Sequence, residues 1–254
     1  MVREQREALL PGWIAQKPSS HAWPSHIDDI ELVWHRLNRA HDLRPFFASE
    51  VRWAECDARL EPAGTVVASH TPANHGDRML SEWLTEIAAS GRAAKIDLKE
   101  GGPVLDGTIA STKSAKMRGR DLWFNAAVEV IGGRSGFKLL ADAYPRARLS
   151  VPVDNLAPWL LVAHGGALGL LAEIRRWGIT WLSISVQTQG FQDVVQSLRK
   201  EGWNVNVWDA SNAVQLRDAV ASRPTSITAD LGVITAPLAR RHGEMGGTDG
   251  EPFH

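Results

Sequence analysis

Three acidic residues have the types and spacing expected of a site for a divalent cation. Glu55 and Asp57 stand one residue apart in "VRWAECD", and Asp97 and Lys99 stand one residue apart in "AKIDLK". Because side chains two positions apart in a β-strand point to the same face, each segment would place its two charged groups together. Three carboxylates inside a fold repel one another and require compensating positive charge. Carboxylate oxygens are ligands that Mg²⁺ and Ca²⁺ prefer, so we predict that these three acids bind Mg²⁺ or Ca²⁺.

Two histidines end other apolar segments of the chain. His35 ends "IELVWH" and is followed by Arg36, while His70 ends "TVVASH". Histidine gains and loses a proton near neutral pH, so two histidines beside an anionic group can act as general base and general acid. Arg36 would make the net charge of the pocket positive, and a positive pocket suits a phosphodiester anion. These residue types together predict metal-dependent cleavage of a phosphodiester.

Each of these residues also has a purely structural interpretation when it is taken alone. An isolated Glu-x-Asp pair commonly forms a solvated strand end, Asp97 and Lys99 can pair with each other, and His70 can lie in a turn. The functional interpretation therefore depends on several polar side chains ending different strands of one sheet. Asn125 in "DLWFNAAV" and Trp208 in "NVNVWD" extend that set.

The segments that carry these residues alternate between strand-like and helix-like patterns. The predicted strands are residues 30–35, 51–57, 65–70, 94–99, 121–128, 147–153, 181–186, 204–209 and 226–231, and the predicted helices are 77–90, 103–117, 136–143, 158–177, 190–201 and 212–222. Gly178 and Gly202 follow helical segments at positions where C-terminal caps belong. Such alternation is typical of a parallel sheet with crossover helices.

Eight such units make a (β/α)8 TIM barrel, with 65–70 as an additional hairpin strand. An open doubly wound sheet is the alternative, but no glycine-rich phosphate loop follows the first strand. In a barrel the carboxyl ends of the strands form the active-site face, so the polar side chains would converge on one mouth. These side chains belong to His35, Glu55, Asp57, His70, Asp97, Lys99, Asn125 and Trp208.

Length and composition limit the remaining possibilities. The 254 residues suffice for one large core, and we predict an N-terminal extension over 1–27, a single barrel domain over 28–235 and a flexible tail over 236–254. A net charge of −1 gives no reason to expect a nucleic-acid partner, and no apolar run is long enough for a membrane span. The single cysteine and a start without a signal-peptide pattern predict a cytoplasmic protein.

The ordered set His35-Arg36, Glu55-x-Asp57, His70 and Asp97-x-Lys99 resembles the signature of the glycerophosphodiester phosphodiesterase superfamily, whose fold is the (β/α)8 barrel of the phospholipase C-like phosphodiesterases. The sphingomyelinase D-type phospholipases D are similar in the intervals between these motifs, in an H-x-x-N start and in a D-L-K triplet. The menorin family is similar over residues 30–232, with counterparts of "WHRLNRA", "AECDARL", "VVASHTP", "LSEWLTEI", "AKIDLKE", "LWFNAAV" and "ARLSV".

The resemblance implies a role for each member of the set. Metal ligands would be Glu55, Asp57 and Asp97, the acid–base pair would be His35 and His70, and the groups that contact substrate or phosphate would be Arg36, Asn38, Lys99, Asn125 and Trp208. The chain departs from the glycerophosphodiesterase pattern where Leu37 replaces the glycine after His-Arg. It also lacks the disulfide of the secreted phospholipases. The resemblance therefore leaves the alcohol group of the substrate undefined.

We accordingly predict a metal-dependent phosphodiesterase that cleaves a P–O bond of a glycerophosphodiester or a lysophospholipid-like molecule. Either water or a neighbouring hydroxyl of the substrate would attack, and the sequence does not say which histidine is the base. The partner would be a small phosphodiester, with transient contact to a lipid surface. The alternative is a catalytically silent, menorin-like barrel that serves as a binding or scaffold protein.

Overall fold

The alternation of strand and helix in the sequence produces a closed parallel barrel. In a computed structural model that describes residues 29–74 and 76–234, ten strands are present, namely β1 (Glu31–Trp34), β2 (Trp53–Leu60), β3 (Val66–Ala68), β4 (Arg78–Met79), β5 (Ala93–Leu98), β6 (Leu122–Ala126), β7 (Arg148–Pro152), β8 (Trp181–Ser185), β9 (Asn204–Ala210) and β10 (Ser226–Ala229). The predicted extension 1–27 and tail 236–254 lie outside the described residues.

Eight of these strands pair in parallel in the order β1-β10-β9-β8-β7-β6-β5-β2, and β1 pairs with β2 to close the ring. The predicted (β/α)8 barrel is confirmed, and the open doubly wound sheet is excluded because both neighbours of β1 are occupied. β3 pairs antiparallel with the end of β2, and β4 pairs antiparallel with β3. The predicted hairpin strand is therefore an extension of the barrel wall.

Eight α-helices among the described residues cover the outside of the barrel or its loops. They are α1 (Ala40–Phe47), α2 (Leu80–Ala89), α3 (Pro103–Ser114), α4 (Arg134–Ala143), α5 (Ala157–Val162), α6 (His164–Arg176), α7 (Phe191–Lys200) and α8 (Ala213–Ala221). Gly178 and Gly202 have φ of +87° and +75°, as expected for residues that follow a helix C-terminus. No helix among the described residues is long and apolar enough to cross a membrane.

Several elements differ from the prediction, and three of these differences have a clear physical reason. The segment 158–177 forms two helices, because Ala163 leaves the helical backbone conformation just before two glycines of low helix propensity. Helix α1 was not predicted, since it is short and contains Pro45, yet it buries Leu43 and Phe46. Strand β2 continues to Leu60 because its last residues pair with β3 outside the barrel ring.

Polar side chains fill much of the barrel interior. At mid-height, Nζ of Lys95 donates to Asn206 Oδ1 at 2.8 Å and to Thr228 Oγ1 at 2.9 Å. Asn125 Oδ1 accepts from Ser150 Oγ at 2.7 Å and from Ser183 Oγ at 3.0 Å. The opposite faces of the strands are apolar and pack against the helices, as with Cys56 and Ile96 of β2 and β5. The sheet therefore has its apolar core outside the ring and a hydrogen-bonded column inside it.

The amino-terminal end of the barrel is closed by an aromatic plug. Trp53, Trp123 and Trp181 form one buried cluster there. The guanidinium carbon of Arg148 lies 4.4, 5.3 and 4.6 Å from the centroids of these three rings, respectively. Glu31 holds the guanidinium with two hydrogen bonds, of 2.5 and 3.1 Å. These three tryptophans thus serve packing, and they fill the amino-terminal end of the barrel among the described residues.

This plug predicts a specific stability effect. Replacing Arg148 with alanine removes three cation–π contacts and the ion pair with Glu31, which keeps its hydrogen bond from Trp53 Nε1, so we expect the free energy of unfolding to fall by about 1–3 kcal/mol. Urea denaturation followed by far-UV circular dichroism measures this difference. Arg146→Ala, at an exposed neighbouring arginine, serves as the control and is expected to change stability by less than about 0.5 kcal/mol. Equal losses for the two variants would contradict the role of the plug.

Candidate active site

Three carboxylates meet at the carboxyl end of the barrel. Glu55 and Asp57 belong to β2, and Asp97 belongs to β5, where it is directly paired with Asp57. One oxygen from each carboxylate lies within 4.8 Å of an oxygen of the other two. Glu55 and Asp57 are only 2% exposed. A donor set made of closely spaced carboxylate oxygens fits a hard cation such as Mg²⁺ or Ca²⁺.

Lys99 bridges two of these acids. Its Nζ lies 2.5 Å from Asp97 Oδ2 and 2.9 Å from Asp57 Oδ1. Burial by itself would lower the pKa of Lys99, but the two carboxylates raise it well above its usual range. Burial would likewise raise the pKa of Asp57, but the charge and hydrogen bond of Lys99 lower it below its ordinary value. Lys99 therefore stays protonated and Asp57 stays ionised.

Glu55 is in a different electrostatic state. Burial and the negative charge of Asp57 raise its pKa to about 7. Its Oε2 accepts a hydrogen bond of 2.7 Å from the backbone N–H of Arg36. Arg36 has φ of +58°, a left-handed conformation that is unusual for a residue with a side chain. The strained turn after β1 thus aims a backbone donor at the least stable charge of the cluster.

Both predicted histidines are oriented by a carboxylate through Nδ1. His35 Nδ1 donates to Asp230 Oδ1 at 2.7 Å, since a carboxylate can only accept. This leaves Nε2 of His35 directed toward the acidic cluster, 3.9 Å from Glu55 Oε2. His70 Nδ1 lies 3.1 Å from Asp57 Oδ2, and its side chain is 48% exposed. The two rings therefore approach the cluster from different elements, β1 and the loop after β3.

Burial would lower the pKa of His35, yet the pKa is raised from its ordinary value. The neighbouring charge of Glu55 and the hydrogen bond to Asp230 outweigh the burial effect. A buried imidazole that can hold a proton beside an anion has the property required of an acid–base group.

The remaining predicted residues surround the same cluster. Asn38 Nδ2 donates to Asp57 Oδ2 at 3.1 Å, and its Oδ1 accepts from the Asp57 N–H at 3.0 Å. Asn125 Nδ2 donates to Asp97 Oδ1 at 2.9 Å. Trp208 forms part of a pocket of about 200 Å³ together with His35, and its Nε1 is buried without a hydrogen-bond partner among the described residues. All ten predicted site residues thus contact the cluster, line this pocket or line a second cleft of about 1010 Å³ on the His70 side, and their roles remain predictions.

Two residues that the sequence analysis did not single out belong to the site. Asp230 follows the last barrel strand and holds His35. Lys95 lies two positions before Asp97, lines the same pocket as Glu55, and has its pKa lowered to about 8 by burial. The alternation that selected Asp97 and Lys99 also places Lys95 on the inner face, and Asp230 ends a strand as His35 does. Both signals were available in the sequence.

Comparisons with known proteins give two kinds of similarity. No family model matches the chain. Protein FAM151B of Homo sapiens is 27% identical over 162 residues, which are 62% of this chain and 57% of that protein, so the match spans little more than half of the relative.

Solved structures give a similarity in fold. A glycerophosphodiester phosphodiesterase from Parabacteroides distasonis has a TM-score of 0.62 at 14% identity, with 85% of this chain and 98% of that chain covered. A phosphodiesterase from Oleispira antarctica, solved with its product sn-glycerol-3-phosphate, has a TM-score of 0.59 at 14% identity, with 84% and 96% covered. The resemblance predicted from the sequence motifs is therefore confirmed as a similarity: this chain has the (β/α)8 barrel fold of glycerophosphodiester phosphodiesterases and a sequence relative in Protein FAM151B.

Proposed function

We propose that this protein is a divalent-metal-dependent phosphodiesterase that cleaves a P–O bond in a small phosphodiester, with glycerophosphodiesters and lysophospholipid-like molecules as the first candidates. The observation that carries this proposal is the juxtaposition of three carboxylate oxygens within 4.8 Å with two histidines that are each held through Nδ1 by a carboxylate. The fold shared with glycerophosphodiester phosphodiesterases supports it.

Glu55, Asp57 and Asp97 would hold the metal ion. When bound, Mg²⁺ or Ca²⁺ polarises a phosphate oxygen and offsets the negative charge that develops on it. Lys99 adds a further positive charge beside the cluster, the backbone N–H of Arg36 adds a donor at Glu55, and Asn125 adds an amide donor. These groups suit the oxygens of a phosphodiester, and Trp208 forms an apolar wall beside them.

The histidines would move the protons. One histidine takes the proton from the attacking water or substrate hydroxyl as the new P–O bond forms, and the other gives a proton to the leaving oxygen as the old P–O bond breaks, so that no charged alkoxide is released. Asp230 fixes the Nδ1 proton of His35, which leaves Nε2 as the reactive nitrogen of that ring. Asp57 orients His70 in the same way while also serving the acidic cluster.

A second candidate function is a silent barrel that binds a partner without catalysis. One observation favours it: the Lys99 ammonium already pairs with both Asp57 and Asp97, so these carboxylates have a countercharge without a metal ion. The name of the sequence relative specifies no reaction. The two functions differ in whether the protein binds a divalent cation and turns over a diester.

Turnover provides the direct test. We expect hydrolysis of bis(p-nitrophenyl) phosphate in the presence of Mg²⁺ and none with EDTA. The release of p-nitrophenol, measured by its absorbance, reports this reaction. His35→Ala and His70→Ala should each reduce kcat by about 10²–10⁴-fold, because each removes one proton-transfer group. The double variant should be little worse than either single variant, since the two act as one unit.

The matched control for these variants is His41→Ala, at an exposed histidine on α1 that contacts Asp42. It should retain wild-type turnover. If the enzyme shows no metal-dependent activity on this diester or on phospholipid head-group diesters, the silent barrel is the better description. If His35→Ala keeps normal activity, the histidine serves only the structure.

Metal binding can be measured without turnover. Mg²⁺ at a hundredfold excess over its dissociation constant should stabilise the fold by about 2.7 kcal/mol, because it binds only the folded site. The readout is the shift of the melting temperature between Mg²⁺ and EDTA. Asp97→Asn should weaken this shift, whereas Asp142→Asn, at an exposed acid on α4, should preserve it. Superimposable melting curves for the wild type with and without Mg²⁺ would contradict the metal site.

The raised pKa of Glu55 gives metal affinity a defined pH dependence. A metal ion binds the ionised carboxylate, whereas the metal-free site holds a proton on Glu55 up to about pH 7. Lowering the pH below about 7 should therefore reduce the apparent affinity by about tenfold per pH unit, because each ion must displace a proton. Calorimetric titration with Mg²⁺ over a pH series measures this slope. A constant affinity from about pH 5 to pH 8 would show that Glu55 is not a ligand.

A further inference from the structure

A large cleft opens beside the carboxylate cluster, between α1 and the loop that joins β3 to β4. Its volume is about 1010 Å³, and it is reached past Asn38 and His70. Ala40, Ala68 and Met79 are its only apolar side chains among the described lining residues, whereas Arg36, Arg39 and Arg78 bring three guanidinium groups. His70 is shared with the chemistry described above, but the rest of the cleft beyond Asn38 and His70 has no part in it.

The cleft and the catalytic pocket have different walls. Glu55, Asp97 and Lys99 line the pocket of about 200 Å³. None of them lines the larger cleft, which begins on the His70 side of the cluster. A phosphate that reacts at the carboxylates therefore occupies the smaller space. The cleft is free to receive another part of the same substrate, on the side from which His70 approaches.

The cleft lining has as many acidic side chains as arginines, but these acids do not pair with the guanidinium groups. Asp42 Oδ2 accepts from the backbone N–H of Arg39 at 3.2 Å, and Asp77 Oδ2 accepts from the backbone N–H of Asn74 at 2.9 Å. These two carboxylates are thus used in local turns. Glu82, an exposed residue, is the third acid of the lining.

The guanidinium groups are less well satisfied. Arg39 is exposed and has no carboxylate within 4 Å among the described residues. Arg36 reaches only Asp209, at 3.9 Å. Arg78 pairs with Glu86 through one nitrogen, and its Nη1 has no hydrogen-bond partner within the described part of the chain. The exposed guanidinium of Arg39 therefore has no carboxylate partner in the part of the chain that the structure describes, and with Arg36 and Arg78 in the same lining the cleft has the chemistry that binds a carboxylate or a phosphate.

We propose that the alcohol part of the substrate carries a second anionic group and that this group binds in the cleft, on Arg39 with Arg78 and Arg36 beside it. The proposal rests on the proposed function, because it assigns the cleft to the same diester. It makes the substrate a phosphodiester of an acidic alcohol. An acyl chain fits this cleft poorly, since its walls present unsatisfied polar groups that an apolar chain would bury.

Two diesters that differ by one carboxylate provide the test. Glycerophosphoserine and glycerophosphoethanolamine share the glycerol, the phosphate and the amino group, and only the first adds an anion to the alcohol. With Mg²⁺ present we expect kcat/KM to be about tenfold higher for glycerophosphoserine, as one charge-assisted contact provides. Arg39→Ala should remove this preference, and Arg39→Lys should keep part of it.

Arg44→Ala is the matched control, because Arg44 is an exposed arginine on the same helix that does not line the cleft. It should leave the ratio of the two kcat/KM values unchanged. Equal kcat/KM for the two diesters in the wild type, or a preference that survives Arg39→Ala, would overturn the assignment of the cleft while the phosphodiesterase function stands.

Binding by titration calorimetry, with EDTA present, makes the result independent of catalysis. The wild type should bind glycerophosphoserine about tenfold more tightly than glycerophosphoethanolamine, and Arg39→Ala should bind them equally. If turnover fails for both diesters and for bis(p-nitrophenyl) phosphate, the proposed function is wrong, yet this binding ratio still decides the specificity of the cleft. Equal affinities in the wild type would overturn it.

Discussion

The mutual repulsion of three carboxylates on adjacent strands is the constraint around which this barrel is organised. Glu55, Asp57 and Asp97 are fixed by the register of β2 and β5, so they cannot separate without breaking the ring. Two lysine ammonium groups offset this negative charge: Lys99 lies at the mouth of the barrel, and Lys95 lies below it. Each compensating group needs its own partners, and the polar interior follows from that need.

The site is divided between a rigid ring and an added sheet. His35 lies at the end of a barrel strand and is held by Asp230, which follows the last strand of the same ring. His70 lies in the loop after β3, and β3 pairs with the end of β2 and with β4. Asp57 is the link, since it contacts Lys99, Asn38 and His70 together. Catalytic geometry would therefore depend on one residue at the junction of the two parts.

The sequence could predict the barrel and most of the cluster because both follow from short periodicities. Alternation of strands and helices gives the fold, and period two along β2 and β5 places the acids on the inner face. The same rule places Lys95 on the inner face, two positions before Asp97. Helix α1 escaped prediction because its signals are weak locally and its stability comes from tertiary burial of Leu43 and Phe46. The pairing of Asp230 with His35 joins residues far apart in the chain, which only the closed ring brings together.

The hydrogen-bonded column has a consequence for how this sequence can change over time. Lys95 donates hydrogen bonds to Asn206 and Thr228, and Asn206 Nδ2 donates one to the hydroxyl oxygen of Ser226. An apolar replacement of one member leaves the other polar side chains inside the ring without hydrogen-bond partners. Several apolar replacements made together would instead give an ordinary aliphatic interior. Substitutions here are therefore strongly non-additive, and the column should be inherited or lost as a unit. A barrel lined with valine and isoleucine can accept substitutions one residue at a time. In this barrel each interior polar residue constrains the substitutions that its hydrogen-bond partners can accept.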